Sequence, residues 1–158
     1  YDTKEVTKLL REIKFRNNER VATWLGQYLQ SKIKIEEADY WVPVPLSDKK
    51  KKKRGFNQVD SIFNPIVEKY KLNYKPLIKR KKETKALYHL TPEERHLTLT
   101  GAFEFDDKEL ISLTDKTVVI LDDIITTGST LTEIARILRD KGAKKVIAIT
   151  VAYATFNK

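Results

Sequence analysis

Apolar residues in this chain recur first at helical spacing and later at strand spacing. Val6, Leu9, Leu10 and Ile13 predict an amphipathic helix over roughly residues 3–14, and Val21, Trp24, Leu25, Tyr28 and Leu29 a second over 20–33. Tyr40 to Leu46 (YWVPVPL) reads as a short apolar strand closed by its prolines. A further helix is predicted from about Asn57 to Tyr70, with Pro65 as an irregularity, and a short strand over 75–78. From Arg80 to Thr98 there is no clear period, only the hint of a helical turn around Pro92 to Arg95. A loop that long in a compact chain is functional or disordered.

The last third is the clearest. Thr117 to Leu121 predicts a strand, and Leu131, Ile134, Ala135 and Leu138 put an apolar stripe on the helix that follows. Gly142 supplies the stop, and Val146 to Ala154 predicts a second, nearly continuous apolar strand. Strand, helix and strand in this order make a βαβ unit, so the fold class is α/β with a parallel sheet and a right-handed crossover. Ligands of such sheets bind beyond the carboxyl ends of the strands.

At that place stands VVILDDIITTGST, residues 118–130. A buried strand ends in Asp122 and Asp123, two apolar residues follow, and Thr126, Thr127, Gly128, Ser129 and Thr130 lead into the helix. Backbone donors and the helix dipole both favour an anion in such a turn. The carboxylates suit neighbouring hydroxyls, directly or through Mg²⁺. A phosphorylated ribose with free 2- and 3-hydroxyls satisfies both. The competing reading is the strand end of a nucleotide hydrolase. That would need a GxxxxGK[ST] loop, and none of the five glycines, at 26, 55, 101, 128 and 142, begins one. A plain strand–turn–helix is the remaining alternative.

Charge adds a partner class. Thirty-one Lys and Arg against 22 Asp and Glu leave a formal +9 on 158 residues, which points to nucleic acid or phosphorylated ligands, or to nothing beyond solubility. With 41% hydrophobic residues the length suits a single domain, 1–38 being N-terminal helices and 39–158 the core. The absence of cysteine excludes disulfides and thiolate zinc sites from this chain. His89 and His96, seven residues apart with no thiolate nearby, read as surface or loop-packing residues rather than metal ligands. No apolar run approaches the ~20 residues needed to cross a bilayer. The chain starts at Tyr1 and has no methionine, so a preceding segment is expected.

The 118–130 segment resembles the phosphoribosyl pyrophosphate (PRPP) signature of type I phosphoribosyltransferases: four apolar residues, two acidic, two apolar, then a Thr/Gly-rich loop. The resemblance implies a parallel sheet flanked by helices under an N-terminal helical hood. It assigns Asp122 and Asp123 to the ribose hydroxyls and, through PRPP, to Mg²⁺, and Thr126 to Thr130 to the 5-phosphate. The loop after the first core strand would bind pyrophosphate, which brings in Pro45, Leu46 and Ser47. Arg80 to Thr98 becomes the candidate lid, with Tyr88 or Arg95 covering the site. Members acting on 6-oxopurines carry an Asp where this chain has Thr126, so hypoxanthine or guanine transfer is disfavoured, and no residue is assigned a catalytic role.

Two further stretches, PVPL at 43–46 and RGFNQ at 54–58, resemble the ComF family, the competence-associated branch of this fold. The similarity spans about residues 40–153. Thr84, Leu90, Arg95 and the pair Ala102–Phe103 fit that family's loop pattern, whereas Leu87 stands where Gln is usual and Thr98 where Asn is usual. Arg54, Asn57 and Gln58 suggest specific hydrogen bonding at a helix start, though Asn57 also suits a plain N-cap. Many ComF relatives carry a four-cysteine zinc ribbon before the first helix, which is expected to be missing from this chain.

The ComF resemblance implies a cytoplasmic, PRPP-binding protein that handles single-stranded DNA during uptake in natural transformation, alongside other competence proteins. Lys49, Lys50, Lys51, Lys52 and Lys53, and the run Lys79, Arg80, Lys81 and Lys82, would track phosphates, with Phe56 or Tyr88 stacking bases. For the first run, a solvated, flexible tract is the bland alternative. Most aromatics, Trp24, Trp41 and Tyr153 among them, occupy core-like positions. The rival function is an active transferase joining PRPP to an unidentified nitrogenous base with release of pyrophosphate; a third is a PRPP-sensing regulator.

Overall fold

The computed structural model describes residues 3–81, 94 and 98–153. Two helices, α1 (Thr3–Phe15) and α2 (Glu19–Leu29), precede β1 (Tyr40–Pro43). Then come α3 (Asp48–Arg54), α4 (Gln58–Tyr70), β2 (Ile78–Arg80), β3 (Phe103–Phe105) and a 3-10 turn at Asp107–Glu109. β4 (Thr117–Ile125), α5 (Ser129–Asp140) and β5 (Lys145–Tyr153) complete the order.

β4 is the middle strand of a three-stranded sheet ordered β1-β4-β5, parallel throughout. β1 runs from Tyr40 opposite Val118 to Pro43 opposite Leu121. Prolines 43 and 45 lack an N–H for the ladder, and the Val44 N–H makes the last contact, donating to Leu121 O at 2.9 Å. β2 and β3 form a separate antiparallel pair.

Alternation along β4 distributes the core to both sides of the sheet. Val118 and Ile120 pack with the α5 residues Ile134, Ile137 and Leu138 and with Phe103 of β3. Val119 and Leu121 pack with Leu10 and Ile13 of α1, Ala22 and Leu25 of α2, and Ile62, Phe63 and Ile66 of α4. α2 and α4 approach so closely that a Cβ on Gly26 would stand 2.0 Å from Ile62 O. α4 continues through Pro65, whose carbonyl accepts from Gln30 Nε2 at 2.7 Å.

Several expectations need correction. The Lys49–Lys53 tract is helical rather than a flexible run, with Ser47 as N-cap and Gly55, at φ +84°, closing α3 by its N–H to Lys51 O. α2 stops at Leu29, short of residue 33, and β1 stops at Pro43 rather than 46. The strand expected over 75–78 lies at 78–80; upstream of it Tyr74 makes a single parallel bridge to Trp41. β4 continues past the carboxylate pair to Ile125, and β3 was not foreseen. Trp24 and Tyr153 are 54% and 59% exposed rather than core; Trp24 stacks instead on Tyr28, centroids 5.9 Å apart. Phe56, expected to be exposed, is half-buried against the α1–α2–α4 core.

Candidate ligand-binding site

The β4 register pairs Asp122 with Thr150 and Ile124 with Ala152 and skips Asp123. There the alternation breaks, because Ile124 joins the core of Leu121 and Ile125 that of Ile120. The two carboxylates go separate ways. Asp122 lines a small cavity of about 50 Å³ with Leu99, Ile124, Ile125 and residues 126–131. Asp123, 3% exposed, turns towards α1, where its Oδ2 lies 2.6 Å from Lys14 Nζ. Among the described residues that oxygen accepts no hydrogen bond of good geometry, so the ion pair leaves lone pairs open. The Asp123 N–H donates to Asp122 Oδ1 at 2.8 Å.

The Asp122 residue keeps some surface, but its carboxyl is enclosed by protein. Burial, and then the charge of Asp123, push its pKa up to about 8, against help from Lys14 and the Asp123 N–H. The proton belongs to the pair rather than to one residue. Arg54 approaches from α3: burial draws its guanidinium below the ordinary arginine range, and the charge of Asp123 partly restores it.

Beyond β4 the backbone prepares an anion site. Gly128 caps α5 at φ +76°, a conformation that suits glycine, and no side chain caps the helix. The first turn also has no acidic residue, so its free N–H groups and positive dipole end face the loop uncompensated. Thr127 Oγ1 and Ser129 Oγ share a hydrogen bond at 2.9 Å; Thr126 is exposed and Thr130 half-buried. Glu133, 3% exposed and absent from the sequence reading, accepts from the Gly101 N–H at 3.0 Å and from Arg136 Nε at 3.0 Å. It ties the strand-side end of the candidate lid to α5. Its position on the apolar face of a helix was the available signal.

The segment after β1 forms the second wall. Asn57 is the N-cap of α4, accepting from the Val59 N–H at 3.1 Å, and its Nδ2 also donates to Val44 O at 3.4 Å. Asn57 therefore serves as the plain N-cap of α4 and also fastens the carbonyl that precedes Pro45. Gln58 is buried and accepts from Arg54. A cavity of about 480 Å³ opens beside this loop, bordered by Pro45, Leu46, Lys51, Lys79, Arg80 and Asp106. Lys79 pairs with Asp106 at 2.6 Å, Lys81 with Glu104 at 3.2 Å, and Arg80 lies over the Phe103 ring. Tyr88, Arg95, Lys82, His89 and His96 lie outside the described residues. Helices α1 and α2 hold no stretch long and apolar enough to cross a membrane, nor does any other described helix.

A parallel sheet whose central strand carries a carboxylate pair near its end and leads into an uncapped, glycine-led helix start places the chain in the α/β class. Residues 42–155 match the phosphoribosyl transferase domain, and the chain belongs to that family. It is 29% identical to DNA utilization protein YhgH of Salmonella typhimurium over 152 residues, covering 91% of this chain and 65% of that protein. It is also 29% identical to competence protein F of Haemophilus influenzae over 151 residues, 87% of this chain and 63% of the relative. The chain thus spans just under two thirds of these relatives. Among solved structures, the allosteric regulatory enzyme of purine biosynthesis superposes with a TM-score of 0.53 at 20% identity, covering 82% of this chain and 25% of that one. That likeness concerns the fold alone. The ComF resemblance read from PVPL and RGFNQ is borne out by the competence-named relatives.

Proposed function

We propose that this chain binds PRPP with Mg²⁺ at the end of β4 and handles single-stranded DNA during DNA uptake in natural transformation. The carrying observation is the uncapped start of α5, free of acidic residues, beside the carboxylate oxygens of Asp122, which line the same small cavity. Such a helix start accepts the 5-phosphate, and such an oxygen accepts a ribose hydroxyl. Among the described residues no group of three or more His, Cys, Asp or Glu is arranged to hold a metal by itself. Mg²⁺ would therefore enter with PRPP, sharing its oxygens with Asp122 or Asp123, and when bound it neutralises diphosphate charge. The names of the relatives, one for DNA utilization and one for competence, support the DNA half of the reading.

Calorimetric titration of Mg²⁺–PRPP into the wild type and into Asp122→Asn/Asp123→Asn tests the ligand. Saturable binding lost in the variant is expected. Wild-type protein that takes up no PRPP would overturn it.

Base transfer is the second reading, favoured by the cavity of about 480 Å³ beside the pyrophosphate loop, which has room for an acceptor. In that reaction the bond from C1 to the diphosphate oxygen breaks and one from C1 to a base nitrogen forms, the diphosphate leaving with its electron pair. Base-dependent release of pyrophosphate is its test; a base panel releasing none sinks it for those bases.

A further inference from the structure

We infer that the cleft between the end of α1 and the helix α3 holds the phosphates of a single-stranded nucleic acid, with Phe15 offering its face to a base. This rests on the DNA-handling reading above and names the surface that would carry it.

The cleft is a cavity of about 220 Å³ lined by Lys14, Phe15, Asn17, Lys50, Lys53 and Arg54. Four of these six are cations, and no acidic side chain among the described residues lines it. Phe15, the last residue of α1, is 80% exposed, so the face of its ring is open to a stacking partner beside these cations. Cations that follow a backbone, next to an aromatic face, are the two elements by which single strands are held without regard to sequence. A duplex has its bases already stacked and gains nothing from Phe15.

α3 strengthens the argument by what it does not do. It buries no side chain, so it contributes nothing to either core, while its lysines repel one another along the helix. Its cap, its left-handed Gly55 and a hydrogen bond from Asn17 Nδ2 to Lys53 O at 3.3 Å fix it against the α1–α2 corner. Charge is therefore held in place at some cost, facing a cavity. Of the other basic run, Lys79 and Lys81 pair with Asp106 and Glu104 and lie outside the cleft's lining. At its inner end the cleft reaches Lys14, the partner of Asp123. A bound strand would thus lie against the ribose site.

Fluorescence anisotropy of a 5′-labelled oligothymidylate, titrated with this chain as a function of salt, tests the assignment. Phe15→Ala is expected to weaken binding by about fivefold or more. Lys53→Gln is expected to lower the slope of log affinity against log salt by about 0.7. Both residues are exposed, so both variants should keep the wild-type melting temperature, and both should bind Mg²⁺–PRPP as the wild type does. Oligonucleotide binding by the wild type that neither substitution changes would overturn the cleft while leaving the DNA reading intact. No oligonucleotide binding by the wild type would overturn that reading and the cleft with it. Loss of PRPP affinity in step with oligonucleotide affinity would assign the cleft to the sugar phosphate and overturn the proposal.

Discussion

Lys14 Nζ meets Asp123 Oδ2 at 2.6 Å, so the last turn of the first helix supplies the counter-charge for a carboxylate at the end of the central strand. Nothing else among the described residues pairs with that oxygen. Lys14→Met should leave the anion buried beside Asp122 with Arg54 as the remaining nearby cation. Removing one partner of a fully buried pair costs about 3–5 kcal/mol. Lys14 keeps 25% of its side-chain surface, and solvent screening reduces the expected loss to about 1–3 kcal/mol. Urea unfolding at pH 8 measures it, and an unchanged midpoint would show that the pair contributes nothing.

The acidic pair also sets a pH dependence. Asp122 is raised from the ordinary 3.8 to about 8, so at neutral pH the free protein retains a proton that the unfolded chain has lost. The pair's contribution to stability is therefore fully present below pH 3.8 and is lost as pH rises through about 8. Ribose hydroxyls and Mg²⁺ favour the ionised form, so PRPP binding should release a proton at pH 7 and tighten towards pH 8. Calorimetry in two buffers of different ionisation enthalpy counts that proton. A count of zero would contradict the shared-proton account.

At Gly128 the backbone, not space, is limiting. A Cβ there would meet only Ile125 Cδ1, at 3.8 Å, but φ is +76°. Gly128→Ala should cost about 1–2 kcal/mol of stability and weaken ribose 5-phosphate binding as the loop relaxes. Ribose 5-phosphate lacks the diphosphate and so reports on this loop and the carboxylate pair without the segment after β1. Wild-type affinity in the variant would argue against phosphate at this loop.

Gly26 presents the opposite case. Ala at this position would press its methyl on Ile62 O, 2.0 Å away, and force α2 from α4. Overpacking of this kind costs about 1–3 kcal/mol. A melting temperature equal to wild type would mean that the helix pair shifts freely.

Much of this was legible because the deciding signals are local. The strand–acid–loop–helix order at 118–130 marks the passage from β4 to α5, and nearly continuous apolar runs mark buried parallel strands. What escaped depends on neighbours distant in sequence. β3 is three residues long and recognisable only beside β2. Five adjacent lysines carry no apolar period, so α3 follows from its two caps alone. Trp24 fits a helical stripe with Leu25, yet α2 buries Ala22, Leu25 and Gly26, because glycine lets α4 in close and turns the indole outward. Glu133 was not singled out, because its partners Gly101 and Arg136 meet it only in the folded chain.

The break in alternation at Asp122 and Asp123 gives the protein a very short wire. One carboxylate lines the loop cavity, the other grips the N-terminal helix, and a single peptide N–H joins them. A change of charge on the phosphate side is felt at Lys14 across one residue of chain, with no strand sliding or hinge required. Under the proposed function, a ligand in the loop cavity would be sensed on the far face of the sheet as a tighter or looser hold on α1.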